Sequence, residues 1–127
     1  MTTIEKTAMT GSELKCQLGA LGIPPSFIAS KMGVTMRTVV RWFDSESVSP
    51  EVVAVIDELR DATDSEMARL RKAADSRRNE PVVLQTYRTD DEYPNADDMP
   101  ATWHRQVVYR LMEELRSEGK AVTVQYA

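Results

Sequence analysis

Gly33 stands four residues after Ala29 and two before Thr35 in the run A-S-K-M-G-V-T-M-R-T-V-V-R-W-F (29 to 43), and this spacing constrains the fold more than any other feature. Glycine reaches the left-handed conformation that stops a helix, so a helix containing Ala29 ends there. Thr35 is a good N-cap, so the next helix begins at Met36. Ala29 is small enough for the two to approach closely. The second helix then turns Val39 and Trp42 toward a core and leaves Met36, Arg37, Val40 and Arg41 facing outward.

Two short helices pivoting on a glycine have the layout of a helix-turn-helix, whose second helix enters the major groove of DNA. The flanks fit. Thr10 and Glu13 form a capping-box signal, and Leu14, Leu18 and Leu21 make a helical stripe over about Gly11 to Leu21, closed by Gly22. Pro24 and Pro25 cannot lie inside a helix, but Pro25 can open one running to Met32, with Ile28, Ala29 and Met32 inward. The third helix runs from Met36 to about Phe43. After the polar loop from Asp44, Ser49-Pro50 opens a fourth.

From Pro50 the residues Val52, Val53, Ile56, Leu59, Met67 and Leu70 keep helical spacing. T-D-S-E at 63 to 66 is itself a capping-box pattern that allows a kink or break, but one helix over about 50 to 77 is preferred. Its apolar stripe needs cover, and a second copy of the chain is the economical source. Past Asn79 the period changes. V-V-L-Q-T-Y after Pro81 and A-V-T-V-Q-Y at 121 to 126 read as strands, with Val122, Val124 and Tyr126 on one face. Between them an acidic loop from Arg88 to Pro100 precedes a helix from about Ala101 to Glu118, closed by Gly119, with Trp103, Val107, Val108, Leu111 and Leu115 on its apolar face. Two strands and one helix are marginal alone, and pairing with a second copy would remedy that. The expected fold is mostly α: a helix-turn-helix domain over 1–62, a helical connector over 63–80, and a small α+β dimerisation lobe over 81–127. Its contacts are expected at Val82, Leu84, Trp103, Val107, Leu111, Val122 and Val124.

A net charge of -4 over 127 residues seems wrong for a nucleic-acid binder until the chain is divided. Residues 1–49 carry five Lys/Arg against four Asp/Glu, whereas residues 81–127 carry five against eight. The acid lies behind the helix-turn-helix, and binding depends on the field at the contacting face. The balance argues against a strong, sequence-blind polycation. No run is long enough to cross a bilayer, Met1 to Met9 lacks a signal-peptide core, and the lone Cys16 suits a reducing compartment, so a cytoplasmic protein is expected. Cys16 is expected in buried packing.

The stretch from Leu14 to about Pro50 resembles the helix-turn-helix of the Cro and phage-repressor (xenobiotic-response-element-like) family through Ala29, Gly33, Val34, Thr35, Thr38, Val39, Trp42 and Pro50. The remainder resembles the YdiL-like group, including anti-CRISPR-associated autorepressors, in its layout and in Tyr93-Pro94 and Trp103. The resemblance implies a homodimeric repressor of its own operon, dimerised through the C-terminal lobe. By position it places base reading on Met36, Arg37 and Arg41, with Thr35 and Thr38 near the backbone. The chain departs from the family at Pro25, where a glutamine is common, and at Leu18 and Phe43, where a buried arginine and glutamate often pair. Packed apolar groups can replace such a pair without loss.

Arg37 and Arg41, one turn apart, can enter one groove, and arginine reads guanine O6 and N7 bidentately. Met36 and Val40 are candidates for a thymine methyl, although Val40 could equally be part-buried. Ser26 and the start of the second helix are the expected phosphate anchor. His104 has no cysteine near it, so a capping or surface role is expected rather than metal binding or catalysis. Asp90, Asp91, Glu92, Asp97 and Asp98 lack the spacing of a calcium loop and read as a solvated loop. The Trp103 stripe could line a ligand pocket, but packing on the strands is the simpler expectation. No phosphate-cradling loop or nucleophile motif suggests an enzyme, and no cofactor is expected. The expected function is a sequence-specific, autoregulatory transcriptional repressor that binds double-stranded DNA at an inverted repeat as a homodimer. The alternative is an antitoxin or other interaction module whose C-terminal lobe grips a protein partner.

Overall fold

The computed structural model describes residues 8–76 and 81–127. Residues 1–7 and 77–80 lie outside it, and with them most of the N-terminal segment, the expected last residue of the long helix and the end of the connector. Among the described residues the chain is mostly helical, with a small two-stranded sheet near its C-terminus. No helix there is long and apolar enough to cross a membrane.

Local chemistry sets the helix ends. Helix α1 (Gly11–Leu21) starts from a reciprocal capping box: Thr10 Oγ1 accepts from Glu13 N at 3.1 Å, and Glu13 Oε2 accepts from Thr10 N at 3.4 Å. It stops at Gly22, whose φ of 71° is left-handed. Helix α2 (Pro25–Met32) opens on its proline and stops at Gly33, at φ 67°. Helix α3 (Met36–Trp42) is capped by Thr35, and its last turn ends one residue earlier than the sequence suggested. Helix α4 (Pro50–Ser76) runs unbroken through Thr63. The Thr63 hydroxyl donates to the Leu59 carbonyl at 2.8 Å, within its own helix, so it caps no new one.

Strand β1 (Val82–Thr86) lies parallel to strand β2 (Val122–Tyr126), with Val82 opposite Val122 and Thr86 opposite Tyr126. Helix α5 (Ala101–Ser117) makes the crossover a parallel pair requires, and it packs on both strands. The loop before α5 has one role that its composition does not reveal. It winds into a 3-10 turn at Asp90–Glu92, and Asp90 Oδ1 accepts from Ala101 N at 2.7 Å. Pro100, the N-cap residue, has no side chain that could do this, so a distant carboxylate satisfies the helix end.

The core does not divide at residue 62 or 80. Trp103 and Val107 of α5 are buried in the same cluster as Leu14, Leu18, Ile28, Val39, Val52, Ile56 and Leu59. A second cluster holds Leu84, Val108, Leu111, Leu115 and Val122, and Met67 and Leu70 of α4 pack against both. The apolar stripe of α4 is therefore covered by α1, α5 and β1 of the same chain, where a second copy was expected as the economical cover. Each fully buried leucine contributes about 1.5–3 kcal/mol. Polar contacts reinforce the seam. Arg71 on α4 donates through both terminal nitrogens to Glu118 at 2.6 Å, and Arg110 on α5 donates to the Ala20 carbonyl of α1 at 3.2 Å.

Leu18 is buried and Phe43 half-buried in the first cluster, where the start of α1 meets the end of α3. Gly11 makes this junction possible: a Cβ there would lie 2.2 Å from the Trp42 carbonyl oxygen. Cys16 is exposed, contrary to expectation. The helical period explains this, because a residue midway between Leu14 and Leu18 points away from the face those leucines bury.

Candidate nucleic-acid interface

The outer face of α3 follows from how its two ends and inner side are fixed. At its start Thr35 Oγ1 accepts from Thr38 N at 3.2 Å and lies 3.0 Å from Thr38 Oγ1, so these two threonines hold the first turn together. Val39 is fully buried on the inner side and Trp42 packs against the core. Rotation about the helix axis is thereby fixed. Met36 is left 46% exposed and Val40 49%, so Val40 is not part-buried. Arg37 and Arg41 are exposed on the same face, about 6 Å apart along the axis.

Two guanidinium groups stand exposed on this face. Among the described residues neither Arg37 nor Arg41 takes part in an ion pair, whereas Lys31 lies 3.9 Å from Glu58 on α4. Ser26 is exposed in the first turn of α2, where Pro24 provides no side-chain cap. Pro25 has no N–H and Phe27 N donates to the Pro24 carbonyl at 3.0 Å, so the Ser26 amide and hydroxyl are the donors this helix end offers to an anion. The structure thus brings Ser26, Thr35, Met36, Arg37, Val40 and Arg41 to the outside of one helix pair, with Thr38 half-buried beneath them.

The residues expected at a dimer contact are placed differently. Leu84, Trp103, Val107, Leu111 and Val122 are buried within the one chain, and Val82 is half-buried. Only Val124, at 36%, remains exposed. Tyr109 and Tyr126 are exposed beside it; Tyr126 was expected on the same strand face as Val124, whereas Tyr109 was not singled out from the sequence. The signal for Tyr109 was its spacing, two residues from Val107 and two from Leu111, which turns it out of the α5 core face.

His104 is buried, which corrects the expected capping or surface role. Its Nδ1 lies 2.8 Å from Thr86 Oγ1, and the rings of Tyr87 and Tyr93 stand against it at centroid distances of 5.2 and 5.0 Å. Burial pushes its pKa below the ordinary value. A cleft of about 480 Å³ runs between α4 and β1, with Arg69, Leu70, Ala73, Gln85 and His104 in its walls. Trp103, Val107, Leu111 and Leu115 line no part of it, because they are packed in the core.

Compared with models of known families and with curated protein sequences, the chain gives no match.

Proposed function

We propose that this chain is a sequence-specific, DNA-binding transcriptional repressor that acts as a homodimer on an inverted repeat and regulates its own gene. One observation carries the reading: Met36, Arg37, Val40 and Arg41 stand exposed on a helix whose other side is locked by Val39 and whose start is pinned by Thr35. Exposed apolar side chains interleaved with two unpaired guanidinium groups suit a major groove, where guanine offers two acceptors and thymine a methyl group. The resemblance to the Cro and phage-repressor helix-turn-helix points the same way. A dimer places two such helices about one DNA turn apart, roughly 34 Å, and turns two weak half-site contacts into one tight complex.

Fluorescence anisotropy with the duplex upstream of the chain's own gene tests this, alongside a scrambled duplex and Arg41→Ala, at two salt concentrations. The expected result is tight binding to the upstream duplex alone, lost in the variant. Equal or absent binding to both duplexes overturns the reading and moves the weight to a protein partner for the C-terminal lobe.

A further inference from the structure

The outer edge of β2 carries no charged side chain of its own, although the Arg88 guanidinium stands over the Tyr126 ring, 4.7 Å from its centroid. Val82 N donates to the Ala121 carbonyl and Ala127 N to the Thr86 carbonyl, each at 2.9 Å. In a parallel ladder the residues of a strand alternate between its two edges, so Val122, Val124 and Tyr126 direct their own N–H and C=O groups away from β1. Among the described residues, one of these groups has a side-chain partner: the Val122 carbonyl accepts from Arg116 at 3.0 Å, which leaves it a second lone pair. The sequence V-T-V-Q-Y offers no proline, lysine or other charge to deter a further strand. Beside this edge a groove of about 310 Å³ runs between β2 and α5, walled by Val108, Tyr109, Met112, Val124 and Tyr126. Among the described residues, three of the six exposed large apolar side chains, Tyr109, Val124 and Tyr126, cluster here, while Met36 and Val40 belong to the α3 face.

We propose that the β2 edge and the Tyr109 face of α5 form a two-fold interface with a second copy of this chain, in which β2 pairs antiparallel with β2 of the partner. The inference specifies the two-fold assembly of the repressor reading, and its test uses no DNA, so the two can fail separately. An axis at Val124 sets Val124 opposite its own copy and Val122 opposite Tyr126, and every backbone group on the edge gains a partner. The two-stranded sheet becomes four-stranded, the size at which a sheet is stable.

Two further observations select a second copy over a foreign strand. Arg105, Tyr109 and Glu113 lie on one row of α5 at four-residue spacing. Run antiparallel about an axis at Tyr109, this row sets Arg105, whose Nη1 also donates to the Tyr87 and Arg88 carbonyls at 2.7 Å, against Glu113 of the partner at both ends, a charge pattern complementary to itself. The spacing also closes. With α5 over the middle of two strands about 4.8 Å apart, the two copies of α5 stand about 10 Å from each other, a normal packing distance for helices.

Sedimentation velocity of the full chain without DNA, with Val124→Lys and Val124→Cys in a Cys16→Ser background, tests the interface. The expected result is a wild-type dimer and, in Val124→Lys, a dissociation constant raised on the order of a hundredfold or more with the helical circular dichroism kept. Val124→Cys should cross-link to its own copy on mild oxidation much faster than Val83→Cys, which is exposed on the opposite face of the sheet. A monomeric wild type, a dimer undiminished by Val124→Lys, or equal cross-linking at the two positions overturns the proposal. Should Val124→Lys fail to fold, the cross-linking comparison decides alone.

Discussion

Trp103 Nε1 donates a 2.9 Å hydrogen bond to Oγ1 of Thr63, 40 residues away, and both side chains are buried. The same Thr63 hydroxyl donates to the Leu59 carbonyl, so donor and acceptor capacities are both engaged. The bond ties α5 to the middle of α4 at the place where the core of the helix-turn-helix continues into the C-terminal lobe.

Thr63→Val keeps the shape of the side chain and leaves the indole N–H buried without a partner. It should cost about 1–3 kcal/mol in urea unfolding. Trp103→Phe removes the donor together with some apolar area. In the double variant the orphaned donor is gone, so the combined loss should be smaller than the sum of the single losses. Strict additivity would show that the bond contributes nothing specific to the junction.

Gly22 joins the same two parts of the chain by a different means. Its φ of 71° disfavours any other residue, and an added Cβ would meet the Thr102 carbonyl oxygen at 2.4 Å. Gly33 has nearly the same φ, 67°, with no atom near an added Cβ. Gly33→Ala should therefore cost only the left-handed penalty, about 1–2 kcal/mol, and Gly22→Ala distinctly more, because the start of α5 must also move. Equal losses by chemical denaturation would mean that the α1–α5 contact is soft.

His104 gives the fold a pH dependence. In the unfolded chain its imidazole takes a proton below the ordinary value of 6.5, while in the folded chain burial keeps it neutral further down; Glu66 and Arg69 oppose each other and act more weakly than burial. The unfolded state thus binds more protons in this window, so stability is full above about pH 7 and falls as the pH drops through the low sixes. It is the sole histidine in the chain. Unfolding free energies at about pH 7.5 and 5.5 should show this loss in the wild type and a much flatter profile in His104→Asn. Equal slopes would assign the dependence to carboxylates instead.

These residues also mark how far the sequence could be read. Thr10 with Glu13, Gly22, Pro25, Gly33, Thr35 and Pro50 act on backbone groups within a few positions, so their effect is written locally, and each helix of the N-terminal half starts or stops where they stand. The outward placement of Arg37 and Arg41 follows from the inward placement of Val39 by period alone. The burial of His104, the cap that Asp90 gives α5 and the entry of Trp103 into the N-terminal core depend on partners 11 to 40 residues away, which no local pattern specifies. Cys16 differs, since the stripe of Leu14 and Leu18 already assigned it to the outer face.

Arg37 and Arg41 can each act in two ways at a DNA groove, and their alanine variants separate these. A side chain bidentate to guanine should cost about 1–3 kcal/mol when removed and relax selectivity at one base pair. One on a phosphate should weaken binding evenly across sequences and lower the slope of log K against log salt by about one unit. Arg37 sits in the first turn of α3, the end of a recognition helix that approaches base edges, whereas Arg41 lies one turn further along, in the last turn of α3. The expected outcome is therefore base selectivity lost in Arg37→Ala and a reduced salt slope in Arg41→Ala, with unfolding free energies within about 0.5 kcal/mol of wild type because both side chains are exposed and unpaired. Binding to a panel of single-base-pair operator variants at three salt concentrations measures both quantities together. Unchanged affinity in both variants at matched salt would remove α3 from the binding face altogether.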